Sequence, residues 1–200
     1  MSGRPDGTVL ELGCGLGALA QRLADTHWLR VYAFDVSPTM HRLGAARYRD
    51  AWVVRTLPDP RGRIPLRRAQ CTAAIAHRVL LHSAHPLMIV GLLTDARRVL
   101  RPGSALAIVE PDHRAGQGAA TDGAAYADGA PYVEHYGLRD GSTLPTTAWR
   151  YTPATIVDCL TRSGFAIDEI RPLPSDPGGD ALLLYRATAV TRPPSGMQLS

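Results

Sequence analysis

Thr8–Leu12 constrains this chain more than any other stretch, because a short apolar strand there runs straight into Gly13-Cys14-Gly15-Leu16-Gly17. A helical pattern follows over about Leu16–Thr26. Glycines at alternate positions allow a tight turn whose backbone N–H groups approach a ligand with no Cβ in the way. Such a turn brings a strand's carboxyl end and a helix N-terminus to one point, over which a ligand sits. The second apolar run, Leu29–Phe34, ends in Asp35, eighteen residues beyond Gly17. A carboxylate there accepts hydrogen bonds from both hydroxyls of a ribose. Turn and carboxylate together predict a nucleoside-cofactor site rather than a merely structural turn.

The remaining sequence repeats the alternation. Ser37-Pro38 supplies an N-cap and first-turn proline for a helix to about Arg49, and Ala51–Arg55 reads as a third strand. Arg61–Arg68 reads as a loop and Thr72–Ala76 as a fourth strand. Pro86–Leu100 is an amphipathic helix stopped by Pro102-Gly103, and the wholly apolar Ala105–Val109 is a central fifth strand. Thr152-Pro153 opens a last helix to about Ser163; Phe165–Ile170 and Ala181–Ala187 are the final strands. Five strand–helix units predict a parallel sheet with right-handed crossovers. Only Arg171–Asp180 joins the final two strands, too short for a helical crossover, so that pair should be antiparallel. The expectation is a Rossmann-like α/β fold: a mostly parallel seven-stranded sheet with an antiparallel last strand and helices on both faces. One domain spans residues 1–187, with 188–200 as a flexible tail ending beyond Pro193-Pro194. Within it, 111–150 breaks the alternation, and loops this long in a domain are usually functional or mobile.

Composition removes several other classes. No run approaches the ~20 apolar residues of a membrane-spanning helix, and Met1–Gly7 has no signal-peptide core. Cys14, Cys71 and Cys159 stand far apart with no CxxC pair, which argues against a disulfide framework or cysteine zinc site and for a reducing cytoplasm. No spacing of His, Asp and Glu supports a metal site. The net charge of +4 rests on 22 basic residues, all Arg, while Lys and Asn are absent. That is the mark of GC-rich codons. Arg61, Arg63, Arg67 and Arg68 read as a solvated loop, and no nucleic-acid-binding motif accompanies them.

The glycines alone leave two cofactor classes open, since Gly13-x-Gly15-x-x-Ala18 also satisfies a dinucleotide fingerprint. Glu11 favours S-adenosylmethionine, whose ammonium group an acid two positions before the first glycine can bind; NAD has no such group. Four stretches then occur in order: Val9–Gly17; Phe34-Asp35-Val36-Ser37-Pro38-Thr39-Met40; Arg97-Arg98-Val99-Leu100-Arg101-Pro102-Gly103; and Ser163-Gly164-Phe165. On these marks the chain resembles the class I S-adenosylmethionine-dependent methyltransferases, especially their small-molecule branch, over about Thr8–Ala187. The resemblance implies that Glu11 holds the methionine amino group, usually through water. It also implies that Gly13, Gly15 and Gly17 pass beneath the methionine and ribose, Asp35 binds the ribose and Val36 packs on adenine. Three departures stand out. The usual adenine-side acid after the third strand falls on Arg55 or Thr56, and Thr56 is carried forward as that contact. Gln70-Cys71 replace the common Phe-Asp pair. Some seven residues before the first strand leave no room for the family's usual N-terminal covering helices.

Methyl transfer is an in-line displacement, so positioning supplies most of the acceleration. A base adds to it where the acceptor is a hydroxyl or amine. His77 ends the fourth strand, where the family places a residue beside the methyl sulfonium, and is both a catalytic and a cofactor-site candidate. His82 and His85 read as loop or helix-start residues. Glu110, Asp112 and His113 follow the fifth strand; His113 is the second catalytic candidate. The 111–150 segment also holds Tyr126, Tyr132, Glu134, His135, Tyr136 and Trp149. In the resembling family such a stretch often caps the substrate, which makes His135 the third candidate, beside Tyr136. The implied activity is methyl transfer to an O, N or C atom of a small molecule in bacterial specialised metabolism. The alternative is a related fold turned to elimination, cyclisation or rearrangement, or acting as a partner subunit. Either the cap or a second chain, of the same or another kind, closes the site.

Overall fold

In a computed structural model, residues 7–48, 52–113, 127–137, 142–174 and 181–191 are described. Five strands pair in parallel: β1 (Thr8–Leu12), β2 (Arg30–Phe34), β3 (Val53–Thr56), β4 (Cys71–His77) and β5 (Leu100–Pro111). Two more, β8 (Phe165–Leu173) and β9 (Leu182–Ala189), complete a seven-stranded sheet of order β3-β2-β1-β4-β5-β9-β8. The last strand, β9, runs antiparallel to both β5 and β8, as the short connection before it requires. Strand order reverses between β1 and β4, the switch point beside whose carboxyl ends ligands bind in open α/β sheets.

Four helices connect the strands: α1 (Ala18–His27), α2 (Pro38–Arg47), α3 (Pro86–Val99) and α4 (Pro153–Arg162). Ser37 Oγ accepts from Met40 N–H at 3.3 Å, His85 Nδ1 from Leu87 N–H at 3.1 Å, and Thr152 Oγ1 from Thr155 N–H at 3.2 Å. Each of these caps precedes a proline, which has no N–H to leave unsatisfied. α1 differs: it opens on Gly17 with no side-chain cap.

The two sheet faces are packed from different material. On one, Leu10, Leu12, Ile89, Leu93, Leu106 and Leu160 belong to a large aliphatic core. On the other, Cys14, Ala20, Ala24, Val31 and Ala33 form a smaller cluster of small side chains.

Three expectations need correction. The β3–β4 connection is the loop expected over Arg61–Arg68, so the count of five strand–helix units falls to four among the described residues. That loop inserts Ile64 and Leu66 into the core. Asp95 Oδ2 accepts from Ile64 N–H at 2.6 Å, while Arg98 donates to the Leu66 and Ile64 carbonyls at 2.6 and 2.8 Å. The four loop arginines themselves are exposed. Second, β5 begins at Leu100 rather than after Pro102-Gly103. Gly103 adopts φ +79°, and a register shift against Cys71/Ala73 absorbs the irregularity. Third, 111–150 is not structureless. It contains an antiparallel hairpin, β6 (Pro131–Gly137) with β7 (Thr143–Trp149). Tyr126, the side chain of Tyr136 and the tail beyond residue 191 lie outside the described residues.

Candidate active site

All three glycines of the β1–α1 turn are left-handed, at φ +62°, +52° and +88° for Gly13, Gly15 and Gly17. A side chain at any of them would be strained. Their surroundings differ. A Cβ on Gly13 would lie 2.6 Å from Val79, and one on Gly17 2.6 Å from Arg55 Nη2. One on Gly15 would meet nothing within 4 Å. The middle of the turn therefore faces open space, while its two ends are backed by protein.

Asp35 joins this turn to the end of β2. Its Oδ2 accepts from Gly15 N–H at 2.7 Å and its Oδ1 from Ser37 N–H at 2.8 Å. Each carboxylate oxygen takes up to two hydrogen bonds, which leaves capacity on both for a ligand's hydroxyls. Val36, 71% exposed, stands beside it as an uncovered apolar side chain. Thr56 aligns with Phe34 across β2–β3, and its carbonyl accepts from Asp35 N–H at 3.2 Å; its Oγ1 is buried with no partner.

Glu11 is buried, and one of its oxygens, Oε2, has no hydrogen-bond partner. Burial pushes its carboxyl up to about 7; the Ala20 N–H and the Arg55 charge oppose that rise. An uncapped helix N-terminus, an orphaned carboxylate oxygen and an open glycine turn bonded to an acid fit the ammonium and ribose groups of S-adenosylmethionine. Glu11, Gly13, Gly15, Gly17 and Asp35 are thus brought to one place, with Val36 and Thr56 on its β2–β3 side.

The β4 and β5 strand ends form the other wall. His77 closes β4, paired with Val109, and burial followed by the Arg78 charge lowers its imidazole below the ordinary value. Arg78 is left-handed at φ +55°, donates its N–H to Val109 O at 2.8 Å, and forms an ion pair with the buried Glu134 of β6. A 3-10 turn, Leu80–His82, follows. Its N–H groups are taken up by Glu110: Oε1 accepts from Val79 and Leu80 at 2.8 Å each, and Oε2 from Leu81 at 3.4 Å. Glu110 is fully inside, and burial pushes it up to about 7. It belongs to β5 itself, not to a loop after it, and serves as a cap for the turn. His85 is the α3 N-cap, as expected.

The hairpin packs against this wall. His113 meets the Tyr132 ring edge-on at 5.2 Å, Arg150 lies over the same ring at 4.8 Å, and Tyr151 Oη donates to Ser83 O at 2.6 Å. His113 also lines a small cleft with Leu80, Leu81, Trp149 and Tyr151. His135 is exposed, and strand alternation puts it on the hairpin side opposite Glu134. The structure therefore places His77 and His113 at neighbouring strand ends and keeps His135 apart from them. Nothing in the sequence marks Arg78, and the helix-interior Gly44 is the signal of the room made for Arg55. Among the described residues, no three His, Cys, Asp or Glu side chains converge on a metal site, and no helix is long and apolar enough to cross a membrane.

Comparison with known proteins agrees with this geometry. A methyltransferase domain model matches residues 10–108, about half of the chain. An uncharacterized 37.1 kDa protein in a transposon of Streptomyces fradiae is 34% identical over 116 residues, covering 56% of this chain. The match takes in 32% of that protein, so the chain spans about a third of its curated relative's length. A SAM-dependent methyltransferase from Methanosarcina mazei superposes with a TM-score of 0.73 at 18% identity, covering 94% of both chains. The glycopeptide N-methyltransferase MtfA, complexed with S-adenosylmethionine, gives 0.68 at 18% identity over 94% of this chain and 89% of its own. With the family model lying across the glycine turn, Asp35 and the β4–β5 wall, the chain belongs to the class I S-adenosylmethionine-dependent methyltransferases.

Proposed function

We propose that this chain transfers the methyl group of S-adenosylmethionine to an O, N or C atom of a small-molecule acceptor. The observation that carries this reading is the Asp35 carboxylate held against the Gly15 N–H beside the open middle of the glycine turn. When bound, S-adenosylmethionine supplies an electrophilic methyl on a positively charged sulfur. Asp35 receives the ribose hydroxyls, Val36 and Thr56 flank the adenine, and Glu11 receives the ammonium group. His77, at the β4 strand end, stands beside the reacting centre. His77 is exposed at the strand end, but partial desolvation and the Arg78 charge still favour its neutral imidazole, the form able to take a proton from an acceptor hydroxyl or amine. His113 contacts the substrate from the β5 side. The β6–β7 hairpin, fastened by Arg78 and Glu134, covers the acceptor and excludes water.

A small acceptor is favoured over nucleic acid by the arginine loop. Arg67 and Arg68 lie near the start of β4, at the sheet end opposite the glycine turn. Calorimetric titration with S-adenosylmethionine and S-adenosylhomocysteine tests the reading, and one-to-one binding of both is expected. No binding of either to the folded chain would overturn it. With a responsive acceptor in hand, His77→Ala should lower turnover by about 10²–10⁴-fold, the usual contribution of a positioned base.

A further inference from the structure

Glu11 on β1 aligns with Ala33 on β2, and Ala33 with Arg55 on β3. The three residues form one row on one sheet face. With strands about 4.8 Å apart, the outer two backbones stand roughly 10 Å from each other. Ala33, fully buried, leaves the gap between them open to long side chains. Arg55 reaches behind the glycine turn and donates from Nη2 to Leu16 O at 2.8 Å. Its guanidinium fills the space that two glycines vacate. A Cβ on Gly17 would lie 2.6 Å from Nη2, and one on Gly44, inside α2, 2.5 Å from Nη1. Glycine in a helix interior costs about 1 kcal/mol relative to alanine, so Gly44 is a concession to this guanidinium and to Leu16 O, 2.3 Å from the same Cβ. Nη1 is buried with no hydrogen-bond partner, and so is Oε2 of Glu11. Arg55 is half-buried as a residue, but packing alone does not account for a guanidinium whose Nη1 is fully enclosed and unsatisfied, because an aliphatic side chain would fill the space without leaving a polar atom unpaired.

We propose that Arg55 is a positioning residue of the cofactor site, holding the Leu16 carbonyl from behind the turn and facing Glu11 with positive charge before any ligand arrives. The assignment rests on reading this turn as the cofactor site. The groups around Glu11 and Arg55 are Asp35 at the end of β2, Cys14 in the turn and His41 on α2. Burial pushes Cys14 up to about 12 and lowers His41 below the ordinary imidazole value. In the same group, burial raises Glu11 into the neutral range. Its folded value of about 7 lies above the unfolded one. The native state therefore holds the proton more tightly, and stability falls as the pH rises between the two values. Removing the Arg55 charge should raise the folded value further and carry that fall to higher pH.

Two variants separate the two roles. Arg55→Lys keeps the charge and loses the planar fork; Arg55→Gln keeps a donor for Leu16 O and loses the charge. Thermal stability of the free protein is measured from pH 5 to 9, and S-adenosylhomocysteine affinity across the same range. Glu110 and the ligand's own amino group contribute equally to every variant and cancel in the comparison. Affinity at pH 7.5 should weaken about tenfold in both variants, the effect of one lost charge-assisted interaction. The pH midpoint should stay at the wild-type position in Arg55→Lys and move up by about one unit in Arg55→Gln. Wild-type affinity in both, or an unmoved midpoint in a folded Arg55→Gln, overturns the assignment. If Arg55→Gln does not fold, Arg55→Lys decides: weakened binding at the wild-type midpoint supports it, and wild-type binding removes it. Absence of binding in wild type defeats the cofactor reading instead, and the stability profiles then decide on Arg55 alone.

Discussion

Two turns of this molecule each rest on a buried carboxyl group. Glu11 lies beneath the turn after β1 and Glu110 beneath the turn after β4, and burial pushes both up to about 7. Their partners differ. Glu110 accepts three backbone N–H groups, whereas Glu11 is met by the Ala20 N–H and the Arg55 charge, with one oxygen left over. Burial and a raised pKa are therefore poor guides to function by themselves. The satisfied carboxyl is a piece of architecture; the unsatisfied one is a place where a further donor is needed. The same division runs through the sheet faces, one filled by large aliphatic side chains and the other by alanines around a charged row.

The sharpest test of this contrast is Asp35→Ala, which removes the acid of the β1-side turn. Two charge-assisted hydrogen bonds to a ribose are worth roughly 1.5–3 kcal/mol each, so S-adenosylhomocysteine affinity should fall by at least about 100-fold. Calorimetry reads this directly, and affinity within fivefold of wild type would detach Asp35 from the site.

The two glutamates come next. Glu110→Gln keeps one acceptor oxygen but turns its N–H₂ towards at least one of the three N–H donors, and should lower unfolding free energy by about 1–3 kcal/mol with ligand affinity unchanged. Glu11→Gln should do the reverse, weakening affinity several-fold while sparing stability. Both carboxyls have folded values above their unfolded ones, so both make wild-type stability decline as pH rises from about 4.5 to 7. Each Gln variant should flatten part of that decline in denaturant titrations. Equal losses of affinity in the two variants would erase the distinction between the turns.

Much of the architecture is legible from single residues. Ser37-Pro38 and Thr152-Pro153 open helices as written, because cap and proline act locally, and the three glycines announce the turn that they make. Other features depend on partners distant in sequence. Arg55 reads as an ordinary strand residue until Ala33, Gly17 and Gly44 are seen to clear its path. Glu110 reads as a loop acid because the apolar run ends at Val109, whereas pairing with β9 carries the strand to Pro111. The β6–β7 hairpin escapes detection because Pro131 and Pro145 interrupt its strands, even though Asp140-Gly141 supplies a turn signal between them. Of the candidate site, the cofactor half is written in short motifs. The acceptor half depends on where a hairpin lands.

Arg78 tests that landing. It holds a left-handed backbone and pairs with Glu134, so Arg78→Ala should loosen the hairpin while leaving the β1 turn untouched. The expected effect is a loss of about 1 kcal/mol in stability, in the range of a partly buried pair, and a several-fold rise in the acceptor's KM. S-adenosylhomocysteine affinity should hold, and a parallel loss would mean that the hairpin belongs to the cofactor half.

The smallest effect belongs to His135. On the sequence alone, His135→Ala should impair turnover, since an imidazole between Glu134 and Tyr136 suits a pocket wall. Strand alternation reverses that expectation: Glu134 points inward and is buried, so His135 points outward, exposed opposite Pro145. Surface substitutions of this kind stay within about 0.5 kcal/mol. Turnover, acceptor KM and melting temperature should therefore all match wild type. A fall in kcat beyond about fivefold would show that the hairpin turns over, or meets another surface, during the reaction, and would return His135 to the acceptor half of the site.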